Sequence, residues 1–190
     1  PEQCRLRVTG GNLRGRRIRV PPGAAVRPTS DRVREALFGR LGDLEDVRVL
    51  DLFAGSGALG IEALSRGAAE AVFVERSNAV AAVLQSNLDA LGLSTAGRIV
   101  RAEAAAGVRR LEQEGSVFEL VLLDPPYQDA EAIGRALRAL ASSGILAPRA
   151  TVVVEASKHA PPPSVEGLAL VDERRYGDTV LHRFEPVERT

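Results

Sequence analysis

Two short segments carry residue types and spacings able to do chemistry. The first, Asp51-Leu52-Phe53-Ala54-Gly55-Ser56-Gly57-Ala58-Leu59-Gly60, ends an apolar run and leads into a helical pattern. Its glycines let the backbone approach a ligand closely at a helix N-terminus, where free N–H groups point outward. Gly55, Gly57 and Gly60 also fit the spacing of a dinucleotide loop, which by itself is a weak signal. In that loop the first glycine follows the strand directly and cradles a pyrophosphate. Here an Asp-x-Phe-Ala segment intervenes, and a carboxylate at Asp51 would repel phosphate. It suits a ligand with a positive end, such as the amino group of S-adenosylmethionine (SAM). A strand-end cap is the plainer use of Asp51. Glu75, 18 residues past Gly57, stands where an acid accepts both ribose hydroxyls of either kind of ligand. Glu103 follows a third strand, where such folds contact adenine; an acid in a first helical turn also has a local use.

The second segment is Asp124-Pro125-Pro126-Tyr127. Two prolines remove two backbone donors and stiffen the turn, so a carboxylate and carbonyls converge as acceptors on one small group. An exocyclic amine on a purine has its lone pair delocalised into the ring and is a poor nucleophile. Acceptors at the Asp124 carboxylate and the Pro125 carbonyl would hold its hydrogens and favour a pyramidal nitrogen. Tyr127 offers a face for stacking the base, worth ~1–3 kcal/mol. Asp124 can also take the released proton. A simple turn sequence is the alternative.

These segments need a scaffold that brings them together. The chain has 190 residues, 45% hydrophobic and 26% charged, enough for one domain with a full core, or one domain and an appendage. Nearly continuous apolar runs over 47–53, 71–75, 98–102, 118–124 and 151–155 read as strands covered on both faces. Helical patterns lie between them; Val80, Val83, Leu84, Leu88 and Leu91 share one face, as do Ile133, Ala136, Leu137 and Leu140. Such alternation means right-handed βαβ units and a parallel sheet. Gly177-Asp178 between apolar runs at 168–176 and 179–184 reads as a hairpin turn. The expected fold is therefore α/β: a Rossmann-like, seven-stranded, mostly parallel sheet of the class I SAM-dependent methyltransferase type, with its last strands an antiparallel hairpin.

Residues 1–45 form a separate basic extension, ahead of a main domain over 46–190. Residues 1–40 hold ten Arg against Glu2, Asp31 and Glu35, 10 − 3 = +7, in a chain of zero net charge, so the remainder carries −7. A basic head on an acidic body faces a polyanion. Alternation over 5–9 and 16–20 around Gly10-Gly11 predicts a two-stranded ribbon. Thr29 or Ser30 would cap a helix with Val33, Leu37 and Leu41 inward. Too short for its own core, this head should pack on the main domain. Cys4 is a lone cysteine, so a disulfide framework and a cysteine metal cluster are both excluded and a reducing cytoplasm fits best. No apolar run approaches a bilayer span or a secretion signal, and a chain without Met reads as starting at a processed end.

The glycine loop and Asp124-Pro-Pro-Tyr127 together resemble the amino-methyltransferases of exocyclic nitrogens. That pair leaves adenine N6, cytosine N4, guanine N2 and a protein amide open. The head narrows the choice: Arg7-x-Thr9-Gly10-Gly11-x-x-Arg14-Gly15-Arg16, then Arg27-Pro28-Thr29-x-Asp31-x-Val33-Arg34-Glu35-Ala36-Leu37-Phe38, resembles the bacterial RsmD family, as does Tyr176-Gly177-Asp178-Thr179. These are 16S ribosomal RNA guanine-N2 methyltransferases. The resemblance implies SAM at Asp51, Phe53, Gly55, Gly57 and Glu75, with S-adenosylhomocysteine as product and no metal. It places the amine site at Asp124, Pro125 and Tyr127. RNA would lie across Arg7, Arg14, Arg16, Arg17, Arg27 and Arg34, although Arg34 and Thr29 could instead serve the methionine end of SAM. Where the family often carries Asn or Asp, this chain has Glu103. The implied substrate is 16S rRNA within an assembled or assembling small subunit, met by a monomer in the cytoplasm. Two other readings share features with this one. A DNA adenine-N6 methylase would need a recognition domain that no stretch here is long enough to form. A non-catalytic SAM- or RNA-binding assembly module would have no use for Asp124 and Tyr127.

Overall fold

The computed structural model of the chain describes residues 6–22, 30–125 and 130–187. Helix α1 (Ser30–Leu41) precedes four β–α repeats and a fifth strand: β1 (Arg48–Leu52), α2 (Ala58–Ser65), β2 (Glu70–Glu75), α3 (Asn78–Leu91), β3 (Gly97–Arg101), α4 (Ala104–Gln113), β4 (Phe118–Leu123), α5 (Ala130–Ser142) and β5 (Leu146–Ser157). The hairpin β6 (Leu168–Tyr176) and β7 (Thr179–Pro186) closes the chain. The sheet order is β3-β2-β1-β4-β5-β7-β6. Strands β1 to β5 run parallel, whereas β7 is antiparallel to both β5 and β6. This is the seven-stranded class I methyltransferase sheet expected from the strand–helix alternation.

Side chains alternate across each strand, which divides the core in two. Val49, Ala71 and Phe73 face α1, α2 and α3 through Leu37, Phe38, Ile61, Leu84 and Leu88. On the other face, Leu50, Leu52, Val72 and Val74 meet Val108 and Leu111 of α4 and Ile133, Leu137 and Leu140 of α5. Because Asp51 lies between Leu50 and Leu52, the same alternation turns it toward α2. There is no room for side chains where α2 begins. A Cβ on Gly57 would stand 2.3 Å from Leu84 Cδ1, and one on Gly60 would stand 2.3 Å from the Phe73 ring.

Strand β5 starts earlier than the run at 151–155 suggested. Phe118 pairs with Leu146 and Leu120 with Thr151, so three extra residues loop out of β5. Pro148 lies among them and has no N–H to give the ladder.

The head is less regular than a ribbon. Arg7 and Arg17 form one isolated antiparallel bridge, with Val8 N–H donating to Arg16 O at 3.0 Å and Ile18 N–H to Leu6 O at 2.9 Å. Its apolar side chains, Leu6, Val8 and Ile18, join the core cluster of α1–α3. Among the described residues, no helix is long and apolar enough to cross a membrane.

Candidate active site at the carboxyl ends of β1 and β4

In the order β3-β2-β1-β4-β5 the connections leave β1 in one direction and reach β4 from the other, so a crevice opens at the carboxyl ends of these two strands. Leu52 pairs with Val74 on one side and Leu123 on the other. The next residues, Phe53, Glu75 and Asp124, therefore meet at one rim. Phe53 turns the chain there at φ 61°, a left-handed conformation uncommon outside glycine. Gly55 follows at φ 56°, and a Cβ on it would meet nothing nearer than 3.9 Å. The space beside Gly55 is open to a ligand, in contrast to the packed surroundings of Gly57 and Gly60.

Glu75 shapes the loop from β2. Its Oε2 accepts the Gly55 N–H at 3.0 Å, and its Oε1 accepts the Ser77 N–H at 2.8 Å. Asp51 is 1% exposed, and its Oδ2 accepts the Gly60 N–H at 2.9 Å. Burial pushes its carboxyl well above the usual aspartate range; the Gly60 amide opposes this, and the charges of Asp124 and Glu75 add to it. Three carboxylates thus share one electrostatic site. An added cation would relieve both the repulsion and the burial of Asp51.

Glu103 serves α4 first: its Oε2 accepts the amides of Ala105 and Ala106 at 3.1 and 3.3 Å, while Oε1 is buried without a hydrogen bond. Asp124 and Pro125 follow β4 directly, with Pro125 buried and Asp124 half-buried. Tyr127, Thr29 and Arg27 lie outside the described residues.

Of the arginines expected to meet RNA, Arg7, Arg14, Arg16 and Arg17 are exposed. Arg7 and Arg17 face each other across the bridge, and like charges in that arrangement repel unless an anion lies between them. Arg16 is partly committed, since its Nη2 donates to Ala90 O at the end of α3 at 2.9 Å.

Arg34 corrects the sequence expectation of an RNA contact. It is 3% exposed and donates to Glu62 Oε2 at 3.2 Å, to Asp31 Oδ1 at 2.8 Å and to the Arg7 carbonyl. The α1 face that carries Val33, Leu37 and Phe38 inward also carries Arg34 inward, so it holds the head rather than facing solvent. Its partner Glu62, 0% exposed on α2, escaped the sequence reading. The available signal was an acid inside the otherwise apolar helix Ala58–Ser65. Asn87 escaped it as well: 2% exposed on α3, it bonds both Arg19 of the head and Ser56 of the glycine loop.

A family model described as conserved hypothetical protein 95 matches residues 6–185. The chain is 40% identical over 180 residues to ribosomal RNA small subunit methyltransferase D of Escherichia coli K12, covering 94% of this chain and 88% of that one. It is 36% identical over 173 residues to the Haemophilus influenzae protein of the same name, covering 90% and 89%. Among solved structures, the yhhF protein of Escherichia coli superposes with a TM-score of 0.83 at 35% identity, covering 97% of this chain and 99% of that one.

Proposed function

The chain belongs to the family of conserved hypothetical protein 95, which it shares with the small-subunit ribosomal RNA methyltransferases D, and from that membership we propose that it methylates the exocyclic N2 amine of a guanine in 16S rRNA, with SAM as donor. The observation that carries this reading is the register of β1 with β4. It sets the carboxylate-lined glycine loop and the Asp124-Pro125 corner on one rim. The open space beside Gly55, the φ of Phe53 and the three carboxylates fit a cationic donor better than an anionic dinucleotide. When bound, SAM supplies an electrophilic methyl group on a sulfonium.

The chain's own groups do the rest. Asp51 and the loop amides orient the donor's polar end, and Glu75 retains lone pairs for ribose hydroxyls. The Asp124 carboxylate and Pro125 carbonyl accept the hydrogens of the amine, and Asp124 takes the proton released as the C–N bond forms and the sulfonium S–CH3 bond breaks, its electrons staying on the sulfur of the S-adenosylhomocysteine that departs. Tyr127 is assigned the stacking of the extruded base. Residues 1–45 are assigned to the RNA, and the small subunit, assembled or assembling, is the substrate met by a single copy of the chain in the cytoplasm.

The test is transfer from radiolabelled SAM to methylation-deficient small subunits, naked rRNA and DNA, with the labelled nucleoside identified by mass. N2-methylguanosine from the subunit supports the reading; N6-methyladenine from DNA, or no transfer at all, rejects it.

Two expectations follow for binding. Neutralising Arg7, Arg14 and Arg17 to Gln should weaken RNA binding and shallow its log–log salt dependence by about 2, at ~0.7 per phosphate contact. SAM affinity should stay within about twofold, because the glycine loop is held by Glu75, Asp51 and Asn87 rather than by these guanidiniums; an unchanged salt slope would remove the head from the RNA site. Second, the raised carboxyl of Asp51 makes protons compete with the donor's positive end. The ionised form binds the cation, so calorimetric SAM affinity should fall as pH drops through the raised Asp51 value and level off above it. A flat profile would show that Asp51 does not meet the donor's charge.

A further inference from the structure

Both polar atoms of the Asn87 amide are engaged. Its Nδ2 donates to the Ser56 carbonyl at 2.9 Å and to the Arg19 carbonyl at 2.9 Å, and its Oδ1 accepts the Arg19 N–H at 2.9 Å. A buried amide with both donors and its acceptor in use fixes all its partners together, since releasing one leaves a polar group unpaired away from water. Ser56 lies between Gly55 and Gly57, at φ 56° and 84°, where the backbone is free to adopt many other conformations. Leu84, nearly one turn before Asn87, bounds the loop at Gly57 by packing. Only the Asn87 tether reaches the loop's central carbonyl among the hydrogen bonds of the described residues. The far end of the tether is the backbone of Arg19, two residues beyond the bridge that carries Arg7 and Arg17.

We propose that Asn87 is a positioning residue for methyl transfer: it holds the glycine loop in its donor-binding form and locks that form to the RNA-facing head. The inference rests on the reading of the loop as the SAM site. Donor binding and head ordering then favour each other through one side chain, and the linkage runs equally in both directions.

Asn87→Asp keeps the size and the acceptor for Arg19 N–H but turns a carboxylate oxygen toward two carbonyls. In steady-state transfer to small subunits, the variant should raise the KM for SAM by about tenfold or more while kcat at saturating SAM stays within about threefold. A side chain that served only stability would lower Tm and leave that KM unchanged, and this outcome overturns the proposal. The wild-type enzyme gives an independent readout that needs no folded variant. Saturation with S-adenosylhomocysteine should slow hydrogen exchange of the Arg19 amide by at least about fivefold; an unchanged rate overturns the proposal although the donor site stands. Failure of the wild type to bind S-adenosylhomocysteine overturns both the proposal and the reading beneath it.

Discussion

Replacing Asp124 by alanine should lower methyl transfer to small subunits by at least about 10³-fold, within the range that a lost general base and a lost positioning contact supply. An aromatic amine presents little free lone pair, so reaction needs acceptors that draw its hydrogens out of the ring plane and a base to receive one of them. In the proposed mechanism Asp124, one residue beyond the Leu52–Leu123 pair, supplies both functions; the alanine variant would leave the Pro125 carbonyl alone. The affinity for S-adenosylhomocysteine should change by less than about threefold, because Asp51, Gly55 and Glu75 are untouched. A second consequence separates loss of chemistry from loss of structure. The Asp124 charge is among the causes that raise the Asp51 carboxyl, so its removal should move the pH dependence of SAM binding toward lower pH. Transfer within about tenfold of wild type would take Asp124 out of the mechanism.

The arrangement of the candidate site was legible in the sequence because its signals are local. Asp51, Gly55, Glu75 and Asp124 each lie in the last two residues of a strand or in the turn after it, and a parallel sheet brings such ends to one edge whatever lies between them. The sheet was legible for a similar reason: strands buried on both faces read as unbroken apolar runs. What remained hidden depends on pairings between distant segments. Arg34 looked like one more arginine of a basic head, and nothing local distinguishes it from Arg32, its exposed neighbour. Its role appears only when Glu62, 28 residues away, is seen beneath it. Asn87 reads as an ordinary helical residue until Arg19 and Ser56, 68 and 31 residues away, meet on its amide. Charge counting found the head's field but could not tell which guanidiniums were already spent inside the fold.

Glu62 carries the largest expected effect on stability. Five donors converge on its carboxylate: Thr9 N–H and Gly10 N–H at 2.8 and 2.7 Å, the Thr9 hydroxyl at 2.8 Å, Arg66 Nε at 2.8 Å and Arg34 Nε at 3.2 Å. The head's Thr9-Gly10-Gly11 turn fits this anchor closely. A Cβ on Gly10 would stand 2.3 Å from the Arg66 guanidinium, and one on Gly11 would stand 1.8 Å from the Ser65 carbonyl. Burial alone would raise the Glu62 carboxyl, but the Thr9 amide, Arg66, the Thr9 hydroxyl and the Arg34 charge together hold it below the usual glutamate range. Glu62→Ala removes one partner of a buried ion pair and leaves Arg34 charged with only Asp31 and a carbonyl to hold it. The loss should be about 3–5 kcal/mol, a fall in Tm of roughly 6–20 °C for a chain of this size. Because the folded carboxyl is held low, its contribution is complete above the ordinary glutamate value of 4.5 and disappears as pH falls through the lowered one. The wild type should therefore lose stability across that acid window by an increment that Glu62→Ala lacks. The Thr9 and Gly10 amides should exchange faster in the variant, and RNA affinity should fall with the head's release. Denaturation midpoints measured at neutral and acid pH decide the matter: a Tm within about 2 °C of wild type would mean that the head is anchored by its apolar side chains alone.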